Sequence, residues 1–394
     1  MISIEHNVIT KAHKKHPALA RPSTGNFGRN EWAIVGGQCA AIKLLADQII
    51  NALSPAYKCA YVDTSHNDDL TLLPGRLVNG SVIDYTDQTD YRQINYKTDF
   101  NPFKLRETFS GADMVLVNGN HNEAKAQVVI ICESKKASLQ KRVAQLINVQ
   151  MILLADDTSE VFDFIKEAVP NWKELPLYRL DETGKIIAFF ERQMAGAKPV
   201  LNGLVLAGGK SERMGLDKGG VNWHGKEQRY HVADMLKPFC NEVFISCRAD
   251  QQQEIDGQYA SLPDTFTGLG PYGAILSAFR EKPDSAWLVV ACDLPLLSEK
   301  TLKHLTDNRN SSSIATTYQS SFDDFPEPLI TIWEPKSYPV MLSFLSQGYS
   351  CPRKVLINSD ITLLNALNPD DLTNVNTPED LEKVKLLLHQ TTNT

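Results

Sequence analysis

Short apolar runs alternate along this chain with segments whose apolar residues recur every three or four positions, and this pattern predicts strands separated by helices. Trp32–Val35 and Cys59–Val62 read as strands around a helix in which Ile42, Leu45, Ile49 and Leu53 share one face. Met114–Val117, Val128–Cys132 and Met151–Leu154 continue the series. A second series starts with a strand at Leu201–Leu206 and a helix carrying Val232, Met235, Leu236 and Phe239 on one side. Buried strands at Glu242–Cys247 and Trp287–Cys292 follow. Strands that alternate with helices form parallel sheets covered by helices, so the fold class is α/β. A final helix is well signalled: Thr377 caps it, Pro378 suits its first turn, and Glu379 and Asp380 suit its positive end. Leu381, Val384 and Leu388 face inward.

At 394 residues the length favours two or three domains. Residues 1–30 read as an irregular N-terminal arm whose Lys11, Lys14, Lys15 and Arg21 solvate it. Residues 31–195 form the first α/β domain and 200–390 the second, with the boundary in the small-residue stretch "RQMAGAK" just before Pro199.

The charge balance is 40 basic against 47 acidic residues, a net −7, which excludes a duplex nucleic-acid footprint and makes any anion site a local one. The start of the chain lacks a signal-peptide core, and no run approaches the roughly 18 apolar residues of a membrane span. A cytoplasmic protein with neither nucleic-acid nor membrane partners is expected. The seven cysteines show no Cys-x-x-Cys pair, so they read as reduced and mostly buried. His66, His121 and Asp68 are too separated in sequence for a metal site to be inferred.

The densest chemistry lies in "LVLAGGKSERMGLDK", Leu204 to Lys218. A strand runs through Leu206 and Ala207 into Gly208 and Gly209, whose backbone freedom lets successive N–H groups face phosphate oxygens; Arg213 and Lys218 add fixed positive charge. Together they read as a triphosphate cradle. A second signal is Asp293, which ends the buried strand Trp287–Cys292, because open α/β sheets bind ligands at the carboxyl ends of their strands. Asp293 is the first choice for a Mg²⁺ ligand, since magnesium takes one or two carboxylates plus substrate phosphates and water. Gly268, Gly270 and Gly273 around Pro271 read as a turn opening a helix.

These segments resemble the molybdenum cofactor guanylyltransferases (MobA-like), nucleotidyltransferases of glycosyltransferase-A-like, Rossmann-like fold. The resemblance covers about residues 200–390 through "LAGGKSERMGLDK", Pro263-Asp264, "GLGPYGAILSAF", "ACDLPLL" and "NVNTPEDL". It implies transfer of GMP from GTP to molybdopterin, with or without molybdenum, and release of pyrophosphate. It places Leu206, Ala207, Gly208, Gly209, Lys218, Asp264 and Asp293 at the nucleotide, with Arg213, Lys218 and Asp293 catalytic. Asp264 lies either beside the base and ribose or in support of the metal. On the acceptor side the resemblance puts Asn374 and Asn376 near the pterin, although Asn-Val-Asn before a cap is also turn chemistry. Arg353 and Lys354 either meet the acceptor's anionic groups or are solvated surface. A phosphate monoester is already largely dianionic at neutral pH, so no side-chain base is needed; positioning and charge neutralisation remain. The Leu-Ala-Gly-Gly form resembles the guanylyl rather than the cytidylyl enzymes, which favours GTP. Arg248 in "SCRADQ" stands where the family pattern has an asparagine.

In the first domain, strand Trp32–Val35 leads into "GGQCAAIK", which has the position of a P-loop without its chemistry: Ala41, Ile42 and Lys43 replace the Gly, Lys and Ser or Thr. The region more weakly resembles MobB-type adaptor GTPases through "YVDTSHND" and "ADMVLVNGNHN", with Asn118 where an acid is expected. It reads as a degenerate, non-catalytic P-loop-like α/β domain. Its role is either to hold substrate or a recipient molybdoenzyme, or to be a structural partner. Two alternatives to guanylyl transfer stand: a cytidylyl or sugar-phosphate nucleotidyltransferase, and a non-catalytic molybdenum cofactor-binding adaptor.

Overall fold

The computed structural model describes residues 20–65, 73–207, 218–320, 323–375, 377, 380, 382 and 384, residue 218 in its backbone only. Its described residues form two compact units, one from Ser23 to Lys198 and the other from Pro199 onward together with residues 20–22.

The N-terminal unit runs β1 (Glu31–Val35), α1 (Cys39–Leu53), β2 (Cys59–Val62), β3 (Ile83–Asp87), β4 (Arg92–Tyr96), α2 (Pro102–Thr108), β5 (Met114–Asn118), β6 (Ala126–Ile131), α3 (Lys136–Gln140), β7 (Val149–Leu154), α4 (Asp163–Ala168), β8 (Leu177–Arg179) and α5 (Thr183–Gly196). Six strands form one sheet in the order β2-β5-β1-β6-β7-β8, with every neighbouring pair parallel. The predicted stripe Ile42, Leu45, Ile49 and Leu53 is buried against Trp32, Ile34 and the α5 residues Phe189 and Phe190. Antiparallel β3 and β4 form a separate two-stranded sheet. Glu31 is buried at the start of β1, where its carboxylate accepts the backbone N–H groups of Asn26, Phe27, Gly28 and Lys125. Four donors make burial of that charge tolerable.

The C-terminal unit runs β9 (Leu201–Leu206), α6 (Gln228–Leu236), β10 (Val243–Cys247), β11 (Ala260–Pro263), α7 (Pro271–Glu281), β12 (Ala286–Ala291), α8 (Glu299–Asp307), β13 (Ala315–Gln319), β14 (Pro326–Trp333), α9 (Ser337–Ser346), α10 (Pro352–Ile357) and β15 (Thr362–Leu364). The sheet order is β11-β10-β9-β12-β14-β13-β15. Alternate residues of its central strands feed two cores. Val205, Leu288 and Val290 pack with Val232 and Leu236 of α6 and Leu302 and Leu305 of α8. Leu204, Trp287 and Val289 pack with Tyr272, Ile275 and Phe279 of α7 and Met341 of α9.

Two expectations need correction. The sheet is not wholly parallel: β14 runs antiparallel to both β12 and β13, because a short connection closed by the Ser320 N–H to Phe325 carbonyl bond turns β13 back on itself. The helix expected to carry Phe239 ends at Leu236, and Phe239 packs half-buried on the same core from the turn that follows. Thr377 Oγ1 accepts the Asp380 N–H at 3.2 Å, the cap the sequence signalled, and Asp380 in turn accepts the Thr377 N–H at 3.0 Å; Leu381 and Leu388 lie outside the described residues.

Candidate active site

Strand order decides where a ligand fits. From β9 the chain moves outward through β10 to β11, then returns to the other side of β9 to lay down β12. The order therefore reverses between β9 and β12, and the crevice outside the carboxyl ends of these strands is the ligand position of open α/β sheets. Leu206, the last residue of β9, pairs with Ala291, the last of β12, and its carbonyl accepts the Cys292 N–H at 3.4 Å. Leu206 and Ala207 thus come level with the turn that carries Asp293. Gly208, Gly209, Arg213 and Asn376 lie outside the described residues, and Lys218 opens a short 3-10 turn in the backbone.

Asp293 is anchored through its main chain. Its carbonyl accepts the Val375 N–H at 2.9 Å, which sets buried Val375 and half-buried Asn374 beside the turn. A second attachment lies a few residues upstream: the buried Asp371 carboxylate accepts the Ser298 N–H at 3.2 Å and the Thr301 hydroxyl at 2.6 Å, and also the Ser298 hydroxyl. Segment 371–375 is therefore fastened at both ends to the stretch from Asp293 to the start of α8. On the other side, His224 donates from Nε2 to the Pro295 carbonyl at 2.9 Å and stacks on His231 with ring centroids 4.0 Å apart. Burial, with help from the nearby charges of His224 and Lys226, pushes His231 down to about 4.

Asp264 follows β11 at the same edge, but two strands, β10 and β9, separate it from β12. Asp264 accepts the Ser246 hydroxyl at 2.7 Å, and Ser246 is itself paired with Leu206 across the sheet. Burial raises the Asp264 carboxyl above its ordinary range, opposed by that hydrogen bond.

The loop after Asp264 is fixed by one side chain. Buried Ser277 on α7 accepts the N–H groups of Thr265 at 2.8 Å and Phe266 at 3.2 Å, and donates to the Gly273 carbonyl at 2.7 Å. The three glycines of this loop have different work. Gly268 at φ 77° and Gly270 at φ 55° occupy left-handed backbone conformations. At Gly273 a Cβ would lie 2.1 Å from the Phe266 carbonyl oxygen, so the loop lies directly on the helix.

On the acceptor side the two cations have different surroundings. Arg353 pairs with Asp323 at 2.7 Å and with buried Glu327 at 3.4 Å, whereas the Lys354 ammonium lies 4.9 Å from the Tyr349 ring centroid. Because Ile330 of β14 faces Val290 of antiparallel β12, Glu327 and the Arg353 it holds lie at the Asp293 end of the sheet. Arg248 grips Asp250 with two nitrogens, each at 3.0 Å. Ser246, Ser277, His224 and Asp371 were missed from sequence. The signals were slight: a serine four residues after Gly273 in a helix, and Ser298-x-x-Thr301 as a cap.

In the N-terminal unit, Gly36 turns at φ 94° between β1 and α1. Lys43 lies 3.3 Å from Asp63, whose carboxylate also accepts Asn118 Nδ2 at 2.9 Å. His66 and Asp68 lie outside the described residues. No helix among the described residues is long and apolar enough to cross a membrane.

Comparison with known proteins matches residues 203–361 to the MobA-like NTP transferase domain. A probable molybdenum cofactor guanylyltransferase of Carboxydothermus hydrogenoformans is 30% identical over 191 residues, which cover 46% of this chain and 92% of that protein. A molybdenum cofactor biosynthesis bifunctional protein of Synechocystis sp. is 34% identical over 185 residues, 47% of this chain; the chain spans about half of that relative, 53%. Among solved structures, molybdopterin-guanine dinucleotide biosynthesis protein A of Archaeoglobus fulgidus aligns with 22% identity and a TM-score of 0.42, covering 48% of this chain and 99% of that one.

Proposed function

This chain belongs to the MobA-like NTP transferase family through its C-terminal half, and from that premise we propose that the unit transfers GMP from GTP to molybdopterin, with or without its molybdenum, releasing pyrophosphate. The product is the guanine dinucleotide form of the cofactor. The observation that carries this reading is the meeting of Leu206-Ala207 and the Asp293 turn at the strand-order reversal, joined by the Leu206–Ala291 pair.

In this reading Leu206, Ala207, Gly208 and Gly209 offer backbone to the nucleotide, Arg213 and Lys218 neutralise its phosphates, and Asp264 contacts it further along the edge. One hard carboxylate at Asp293 suits Mg²⁺, which completes its shell with substrate phosphates and water and, when bound, offsets charge on the transferring and leaving oxygens. The Val375 N–H ties down the backbone of Asp293, and Asn374 and Asn376 are assigned to the acceptor. Arg353 and Lys354 are assigned to the acceptor's anionic groups; Arg353 reaches them by exchanging its exposed contact with Asp323. The acceptor phosphate attacks the α-phosphorus, the bond to the β-phosphate oxygen breaks, and the leaving pyrophosphate departs with the electron pair. The N-terminal unit is a non-catalytic, degenerate P-loop-like domain that holds substrate or a recipient molybdoenzyme. The whole reaction belongs in the cytoplasm.

The test is pyrophosphate release by the intact chain with Mg²⁺, molybdopterin and GTP, CTP or ATP in turn. GTP is the expected substrate, and Asp293→Asn lowers kcat by at least about 100-fold, the scale of losing a principal electrostatic contact. Faster release with CTP moves the assignment to cytidylyl transfer. Silence with all three nucleotides moves it to a cofactor-binding adaptor.

A further inference from the structure

The carboxyl edge of the N-terminal sheet holds a thiol and an imidazole in contact. Cys39 is the first residue of α1, and its Sγ lies 3.5 Å from His121 Nε2. The pair is assembled by the fold, since Cys39 follows β1 and His121 follows β5, neighbours in the sheet. Asn120 builds the frame between them. Its Nδ2 donates to the Gly37 carbonyl at 2.9 Å and lies 3.8 Å from the Cys39 sulfur, and its Oδ1 accepts the Gly36 N–H at 3.1 Å. Arg142 holds the Asn120 carbonyl at 2.8 Å, and the His121 N–H is tied to the Asn118 carbonyl at 3.1 Å. Cys39 is partly exposed.

The other thiols have other surroundings. Burial pushes Cys240 up to about 12 and Cys247 up to about 11, which keeps both protonated and inert. Among the described cysteines, Cys39 has an imidazole nitrogen against its sulfur and an amide donor beside it, the arrangement by which a base activates a thiol.

We propose that Cys39 and His121 form a nucleophilic dyad that takes small disulfides, making Cys39 a site of reversible S-thiolation. As the Cys39 sulfur attacks one sulfur of the disulfide, its proton passes to His121 Nε2. A bond forms between Sγ and that sulfur, and the disulfide's own S–S bond breaks. The second sulfur leaves with the electron pair and takes the proton from the imidazolium, so Cys39 is oxidised and the reagent reduced to one thiol. The inference is independent of the C-terminal reaction.

Oxidised glutathione is the probe. The full-length chain is treated at pH 7, and glutathionylation is followed at each cysteine by peptide mass spectrometry, with exposed Cys351 as the internal reference. Cys39 reacts at least about tenfold faster than Cys351 despite its lower exposure, and His121→Gln brings it to the Cys351 rate or below while leaving Cys351 unchanged. Equal rates in the unaltered chain overturn the proposal, as does acceleration that survives His121→Gln. Should that variant fail to fold, the Cys39 to Cys351 ratio in the unaltered chain decides.

Discussion

Ser277→Ala tests the link between α7 and the Asp264 loop. The change removes one oxygen, adds no bulk, and leaves no large cavity. It deprives the Thr265 and Phe266 N–H groups of their acceptor. A buried donor left without a partner costs about 1–3 kcal/mol. Thr265 is exposed and Phe266 half-buried, so water recovers part of this. The hydroxyl's bond back to the Gly273 carbonyl contributes little, because the helix already uses that carbonyl. The net expectation is about 2 kcal/mol, which for a unit of this size lowers Tm by about 4–8 °C. The loop then holds Asp264 less firmly; under the proposed roles of Asp264 and Asp293, KM for GTP is expected to rise several-fold while kcat changes by less than about twofold. Thermal unfolding and steady-state pyrophosphate release measure the two effects. Stability within about 0.5 kcal/mol of the parent together with an unchanged KM would refute the claim that Ser277 holds the loop.

Two further outcomes follow from buried charge. His231 titrates at about 4 in the folded unit against about 6.5 when unfolded, so below pH 6.5 the unfolded chain takes up a proton that the folded one refuses. Stability is full above pH 6.5 and is lost as pH falls towards 4. Half-exposure screens the effect to about 1–2 kcal/mol. His231→Gln flattens that part of the Tm-against-pH curve, and an unaltered curve would contradict the assignment. Arg309 and Glu334 form a buried two-nitrogen pair at 2.6 and 2.9 Å, and Arg309 also donates to the Pro199 carbonyl at 2.8 Å. Arg309→Met leaves the Glu334 charge buried and uncompensated, at a cost of about 3–5 kcal/mol by urea unfolding. Arg309→Met combined with Glu334→Leu recovers most of that loss, and a double variant as weak as the single one would argue against it.

The strands β1, β2, β5, β6, β7, β9, β10 and β12, the apolar stripe of α1 and the placing of Asp293 at a strand end were legible in the sequence alone. Side-chain periodicity is set by backbone geometry, and a buried strand between two layers of helices is apolar throughout whatever its neighbours are. The glycines of "GLGPYG" were legible as a turn, but their division of labour was not. Left-handed φ at Gly268 and Gly270 is a local matter, whereas the need for Gly273 arises from the Phe266 carbonyl lying against it. The site's other supports depend on pairing across long sequence separations. Val375 meets Asp293, Asp371 meets Ser298, and Ser246 meets Asp264 because strand order brings those segments to one edge. The antiparallel β14 escaped for the same reason, since strand direction is set by the connection that delivers the strand. Cys39 and His121, 82 positions apart, carry no shared pattern in the sequence; only the pairing of β1 with β5 puts sulfur and imidazole within 3.5 Å.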